Sequence, residues 1–258
     1  MDRMEIPSLS GAIHVWSRNK DVFKKFALTN LLPYFAEPLL FIIALGYGLG
    51  LFVGEIGGMS YPQFLAPGIL ASSSMFAASY ECTYATFVRM IFQKTFEAVL
   101  STPIMIEDIV LGEVLWGATK SLISGTCIFI VILLLGLIKL ESAIIILPTI
   151  FLVGLMFASL SMFFTSIVPS LDAFNYYFTL IVSPMFLLSG VFFPVDSLPE
   201  IVRSLSWFLP LTHAVNIIRP SAIGQYSAGF IYDILWMAAF TMVFYSISSV
   251  LMKRRLIQ

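Results

Sequence analysis

Ionisable side chains stand well inside stretches otherwise built of apolar residues: Glu37 just ahead of Pro38, then Glu81, Glu113 and Lys120. A charge held in hydrocarbon costs about 3 kcal/mol or more unless it is paired or wetted, so each is a candidate for function. Glu113 and Lys120 are seven residues apart and so share one helix face. Glu81 lies at comparable depth on the preceding apolar stretch, which predicts a Glu81–Lys120 contact. Such a pair either neutralises two charges and fixes the register of two helices, or flanks an entrance for a polar headgroup. Aromatic rings gather at Tyr80 and Tyr84 and again in the run Asn175, Tyr176, Tyr177, Phe178. They have faces suited to stacking on sugars or lining a greasy passage, although interfacial tyrosines also serve simply as membrane anchors.

Other chemistry is missing from the sequence. No phosphate-binding loop of the form G-x-x-x-x-G-K-[ST] occurs, so energy for any pumping has to come from elsewhere. There is no H-E-x-x-H zinc motif and no nucleophile elbow. His14 and His213 are far apart and predicted on opposite sides of a membrane, so no catalytic residue is assigned. Cys82 and Cys127 sit in apolar segments and read as packing residues, without a disulfide or a metal. The chain begins Met-Asp-Arg with no short apolar region behind it, so a cleaved signal peptide is not expected.

The elements that must position these residues are membrane helices. With 258 residues, 59% hydrophobic and 11% charged, and a mean hydropathy of +0.95, the chain lacks the polar surface to coat a soluble globule. The reading is an all-α integral membrane protein forming one domain over residues 1–258. Six spans are expected, at about 31–53, 63–88, 109–138, 143–168, 173–193 and 230–252. Arg3, Arg18, Lys20, Lys24, Lys25, Arg89, Lys94, Lys253, Arg254 and Arg255 then fall on one side, and Lys139, Arg203 and Arg219 on the other. By the positive-inside rule both termini are cytoplasmic, which requires an even number of spans. The net charge of −1 gives no reason to expect nucleic acid.

Three segments outside the spans are more informative. In Ser10–Asn30, Ile13, Trp16, Phe23 and Phe26 recur at helical spacing, as in a helix lying among lipid headgroups or in a basic lead-in that sets orientation. Between Arg89 and Asp108, a short helix over Ile91–Ser101 is expected, with Ile91, Phe92, Phe96, Val99 and Leu100 as its apolar stripe. Lys94, Glu97 and Ser101 fall on its other faces, and Thr102-Pro103 is read as the start of the next helix. Such a helix either rests on the bilayer or plugs into a soluble partner. Residues 195–229 are too apolar for a solvated loop and too interrupted by prolines for a span. Ser197 and Glu200 are spaced as a capping box, followed by a stripe of Ile201, Leu205 and Phe208, which suggests short helices dipping into the outer leaflet.

The stretches YPQFLAPGILASSSMFAAS (61–79), KTFEAVLSTPIMIEDIVLGEVLWGATK (94–120) and LSGVFFPVDSLPEIVRSLSWFLPLTHAVNIIRP (188–220) resemble the ABC-2 permease family. Within it, they are most similar to permeases of nodulation-type lipo-oligosaccharide exporters. The resemblance implies a half-transporter in a prokaryotic inner membrane that pairs with a second copy of itself. It also implies two cytoplasmic ABC ATPase subunits, which bring ATP and Mg, and contact with membrane lipids. By the same resemblance, residues 91–101 are the coupling helix, with Ile91, Phe92, Lys94, Thr95, Phe96, Glu97 and Leu100 as ATPase-coupling residues. Cargo would enter laterally from the inner leaflet near spans one and five, past Glu37, Asn175, Tyr176 and Tyr177, and the residues read above add Tyr80, Glu81 and Tyr84 to the candidate passage. The alternatives are a drug-efflux permease of the same family, a channel working without an ATPase, or an intramembrane enzyme.

Overall fold

The computed structural model describes residues 7–25 and 35–257, and most of them are helical. Arg3, Phe26, the end of the expected Ser10–Asn30 helix and the start of the first expected span lie outside the described residues. Helix α1 (Leu9–Lys25) is followed by α2 (Phe35–Val53), which is π-helical over Ile42–Leu49. A two-residue hairpin, β1 (Glu55–Ile56) and β2 (Met59–Ser60), turns on Gly57 and Gly58, both at positive φ as a tight hairpin turn requires. Helix α3 (Tyr61–Tyr80) continues through two π-helical stretches, Glu81–Ala85 and Val88–Phe92. Then come α4 (Thr95–Leu100), α5 (Ile106–Leu134), α6 (Ala143–Ile167), α7 (Phe174–Leu188), α8 (Glu200–Ser206), α9 (Pro210–Ala222) and α10 (Phe230–Leu256).

Helix α6 packs along α5 and α10, while α3 lies against α5, α6 and α9. Counted by length and apolarity among the described residues, four helices qualify as spans: α2, α5, α6 with its leading turn, and α10. The pair α8–α9, bent by 85°, would make a fifth if taken as one crossing, against the six expected. The shortfall has a physical origin. Most of α3 is buried in protein rather than facing lipid, so it carries Ser72, Ser74 and Ser79, whose hydroxyls bond to carbonyls or to Tyr177. Helix α7 is apolar but short.

Chain ends and charges sort to the two ends of the bundle. At the basic end, Lys253 Nζ lies 3.0 Å from Glu107 Oε1, and Arg255 donates to the carbonyls of Thr165 and Val168. At the opposite end, Lys139 N donates to Ala222 O, tying the α5–α6 connection to the end of α9.

Several local expectations are corrected. Helix α1 forms, but its buried face is Gly11, Ala12, Val15 and Asn19, and Ile13 is exposed. It runs alongside the first half of α5: Asp108 accepts from Ser8 N, and Trp16 Nε1 donates to Thr119 Oγ1 at 2.9 Å. Gly112 permits this approach, since a Cβ there would lie 2.6 Å from that of Val15. Small residues make the closest approach to α5, with Trp16 and Phe23 of the predicted stripe reaching Thr119 and Trp116 beside them.

The expected Ile91–Ser101 helix is broken. Ile91 and Phe92 complete the end of α3, the chain turns at Lys94 with φ +50°, and only Thr95–Leu100 forms the short helix. Thr102 does not cap the next helix either; its hydroxyl donates back to Val99 O, and α5 starts at Ile106 with Asp108 accepting from Met105 N. The Ser197–Glu200 capping box is absent, because Ser197 Oγ donates to Pro194 O and Pro199 precedes α8.

Candidate functional site: an amphipathic cavity at the basic end

A cavity of about 810 Å³ opens between α1, α2 and α3. Its walls change character along their length. Pro38 and Phe41 of α2, Ile69 and Phe76 of α3, and Phe186 of α7 make one part largely apolar, with Glu37, Ser72, Ser73 and Ser124 as the polar groups among them. Arg18 and Asn19 of α1, Glu81 and Arg89 of α3, and Gln93 and Thr95 at the α3–α4 bend form a polar part. Tyr80 and Tyr84 stand between. A hollow with this gradient suits a molecule with a polar head and an apolar tail.

The polar part rests on a buried charge network. Arg89 Nη1 donates to Glu81 Oε1 at 2.8 Å, and its Nη2 to Glu113 Oε2 and to Thr86 Oγ1. Glu81 also accepts from Trp116 Nε1 at 2.9 Å and lies 3.5 Å from Lys120 Nζ, so the predicted contact exists. Glu113 is fully buried and accepts from Thr86 Oγ1 at 2.9 Å, Asn19 Nδ2 at 3.0 Å and Arg18 Nη2 at 3.3 Å. One cluster thus joins α1, α3 and α5, and the low dielectric around it makes every bond in it count. Burial lowers the Arg18 pKa while Glu113 acts in the opposite direction, and a guanidinium in this setting stays charged.

Arg89, Arg18, Asn19, Thr86 and Trp116 were not anticipated. The signal for Arg89 was its position eight residues beyond Glu81 in an unbroken helical stretch. Counting it as a loop charge concealed its role.

The aromatic residues form a ladder beside the cavity. Tyr80 stacks on Phe178 at 4.5 Å between centroids and on Phe76 and Tyr84 at 6.1 Å, and Phe76 meets Phe186 edge-on at 5.5 Å. Tyr84 OH donates to Asn175 Oδ1 at 3.3 Å. Of the residues predicted for a passage, Glu37, Tyr80, Glu81 and Tyr84 line the cavity. Asn175 touches only its edge through Tyr84, and Tyr176 is exposed away from it. Tyr177 is a core residue, its hydroxyl bonded with Ser161 at 2.9 Å and Ser79 at 3.4 Å.

The predicted coupling residues divide in the same way. Ile91 (43% exposed), Phe92 (66% exposed), Lys94 and Glu97 face outward around the bend. Phe96 is 0% exposed and anchors α4 to the protein's own core, while Thr95 and Leu100 are half-buried. The aromatic ring exposed at this bend is that of Phe92, not of Phe96.

At the opposite end the buried polar groups hold backbone. Arg219 donates through Nε to Phe64 O at 3.0 Å and through Nη2 to Gly190 O at 2.6 Å and Val191 O at 3.2 Å, with its guanidinium 3.8 Å from the Phe64 ring. His213 places Nδ1 2.7 Å from Asp233 Oδ1 and Nε2 2.9 Å from Trp207 O, and stacks on Trp236 at 4.2 Å. These bonds fasten the bent pair α8–α9 to α3 and α10. Cys82 and Cys127 are both free thiols.

Residues 13–223 match the ABC-2 type transporter family, and the chain belongs to it: a multi-pass all-α membrane protein that serves as a transport subunit. Its relatives are similar over most of their length. It is 43% identical over 246 residues to Nodulation protein J of Rhizobium leguminosarum bv. trifolii, covering 95% of this chain and 94% of that one. Nodulation protein J of Bradyrhizobium diazoefficiens is 44% identical over 80% of this chain and 79% of its own. The inner membrane transport permease YadH of Escherichia coli is 23% identical over 93% of each chain.

Proposed function

We propose that this chain is the membrane-spanning subunit of an ATP-binding-cassette exporter. Its cargo is an amphipathic, lipid-linked molecule such as a lipo-oligosaccharide, a glycolipid or a lipid-borne polysaccharide. In this reading it crosses a prokaryotic inner membrane six times, α3 and α7 included, with both termini in the cytoplasm. It pairs with a second copy of itself and with two cytoplasmic ATPase subunits, which supply ATP and Mg. Closure of the ATPases moves α4, and the two bundles shift to open a path outward.

The observation that carries this reading is the graded cavity. Its apolar part suits acyl chains, its aromatic ladder suits sugar faces, and its polar part suits a head. The ladder favours a glycan-bearing cargo over a purely apolar drug. Position supports coupling as well: Gln93 and Thr95 line the cavity at the bend that presents Phe92, Lys94 and Glu97 to a partner.

The test has two parts. Purification in mild detergent from the native host should bring down an ABC ATPase, and Phe92→Asp should abolish that association while leaving thermal stability unchanged. Inverted membrane vesicles should then accumulate a fluorescent acylated oligosaccharide only with ATP, and the unacylated sugar not at all. Uptake without ATP, or no ATPase partner, would sink the exporter reading.

A further inference from the structure

The charges around the cavity do not balance. Among the described residues, Arg18, Arg89 and Lys120 form one network with only two carboxylates, Glu81 and Glu113. Glu37, the remaining acid on the cavity wall, makes no ion pair with either arginine. Donor capacity is left over as well. Arg18 Nη1 and Arg89 Nε are shut off from water and have no hydrogen-bond partner, an uncommon state for charged N–H groups. Both arginines line the cavity, with 29% and 16% of their side chains still open. Asn19, Gln93 and Thr95 stand on the same part of the wall. An excess of cation beside an apolar pocket selects a ligand that carries its negative charge on an oily molecule.

We propose that the Arg18–Arg89 part of the cavity is an anion-binding subsite that takes the carboxylate, sulfate or phosphate of an amphiphile whose chains lie along Phe41, Phe76 and Phe186. This rests on reading the cavity as the cargo's port. The anion has two possible sources, an acidic membrane lipid or a charged substituent on the cargo itself, and the chemistry is shared. Arg18 is the adjustable half of the site. Its longest bond is the 3.3 Å one to Glu113, whereas Arg89 is fixed by Glu81, Glu113 and Thr86.

Binding is measured on the full-length permease purified in a neutral maltoside detergent, from ligand-dependent thermal shifts, with no ATPase and no transport step. Two matched pairs serve as probes: dihexanoyl phosphatidylglycerol against dihexanoyl phosphatidylcholine, and dodecyl glucuronide against dodecyl glucoside. The acidic member of at least one pair should bind about tenfold more tightly, a difference of roughly 1.4 kcal/mol. A preference in the first pair alone assigns the site to lipid, and in the second alone to a charged cargo. Arg18→Gln should remove the preference and Arg18→Lys should retain most of it. Lys24→Gln, at an exposed position on α1, should leave it intact.

Equal binding of acidic and neutral probes overturns the proposal. So does a preference that survives Arg18→Gln, or one lost equally in Lys24→Gln. Inorganic phosphate that displaces the acidic probe as strongly as the probe binds would make this a site for free anions and overturn the amphiphile assignment. Should Arg18→Gln fail to fold, the Lys24→Gln and phosphate results still decide. Failure of vesicle uptake with this binding intact would refute the exporter reading alone.

Discussion

The two ends of this bundle bury arginine in opposite ways. At the end facing α4, Arg18 and Arg89 meet carboxylates, hydroxyls and an amide, all side chains that can change rotamer, and they do so on the wall of a cavity. At the other end, Arg219 meets three backbone carbonyls and a phenyl ring. Carbonyls fixed in helices and turns give a guanidinium one permitted pose, so Arg219 acts as a clasp. Side-chain partners leave Arg18 more than one pose, since its ion pair is the 3.3 Å contact to Glu113, while Arg89 is held by three side chains. Buried charge therefore marks rigidity at one end and adaptability at the other, and only the bonding partners reveal which is which.

Substitutions at three positions press on that contrast. Glu113→Ala should have the largest effect, about 3–5 kcal/mol, because it breaks two buried ion pairs and leaves three cations facing one carboxylate. Thermal unfolding followed by tryptophan fluorescence would show it as a large fall in midpoint; a small change would mean that the cluster is already wet. Arg219→Met comes next, at about 2–3 kcal/mol, for carbonyls left unsatisfied. Arg219→Lys should recover little, since an ammonium cannot fork to three carbonyls and stack on Phe64. Full recovery by lysine would break the clasp argument, just as recovery by Arg18→Lys upholds the adaptable one.

Lys120→Met should cost least, within about 1 kcal/mol, because it leaves two cations with two carboxylates and Glu81 keeps Arg89 and Trp116. Transport should persist in that variant. Loss of uptake with normal stability would instead give Lys120 a place among the groups that meet the cargo.

The solvent and the grouping of basic residues at one end were legible because they depend on composition and on where charges interrupt apolar runs. So was the Glu81–Lys120 contact, which needed only equal depth on adjacent helices. Its Arg89 partner was not. In a regular helix eight residues rise about 12 Å, and nothing in the letters announces that π-helical turns at Glu81–Ala85 and Val88–Phe92 shorten that distance and rotate the face. The docking of α1 on α5 was not legible for a related reason. Hydropathy weighs Ile13 and Trp16, whereas close packing against α5 is decided by what Gly11, Ala12 and Gly112 leave out. Phe96 shows the limit of stripe arguments: an aromatic at the right spacing cannot say whether it points to a partner or to its own core.

The bend at Lys94 has a mechanical consequence. A residue with a side chain, held at φ +50°, has few alternative conformations within reach, unlike a glycine in the same place. The joint between α3 and α4 is therefore a stiff elbow, and Phe96, locked into the core, keeps the short arm from swivelling. Torque applied to α4 is passed to α3 as rotation of a rod. In the exporter reading, a push on α4 would meet the π-helical turns that carry Glu81 and Arg89 first, and so would reach the charged wall of the cavity before the rest of the bundle.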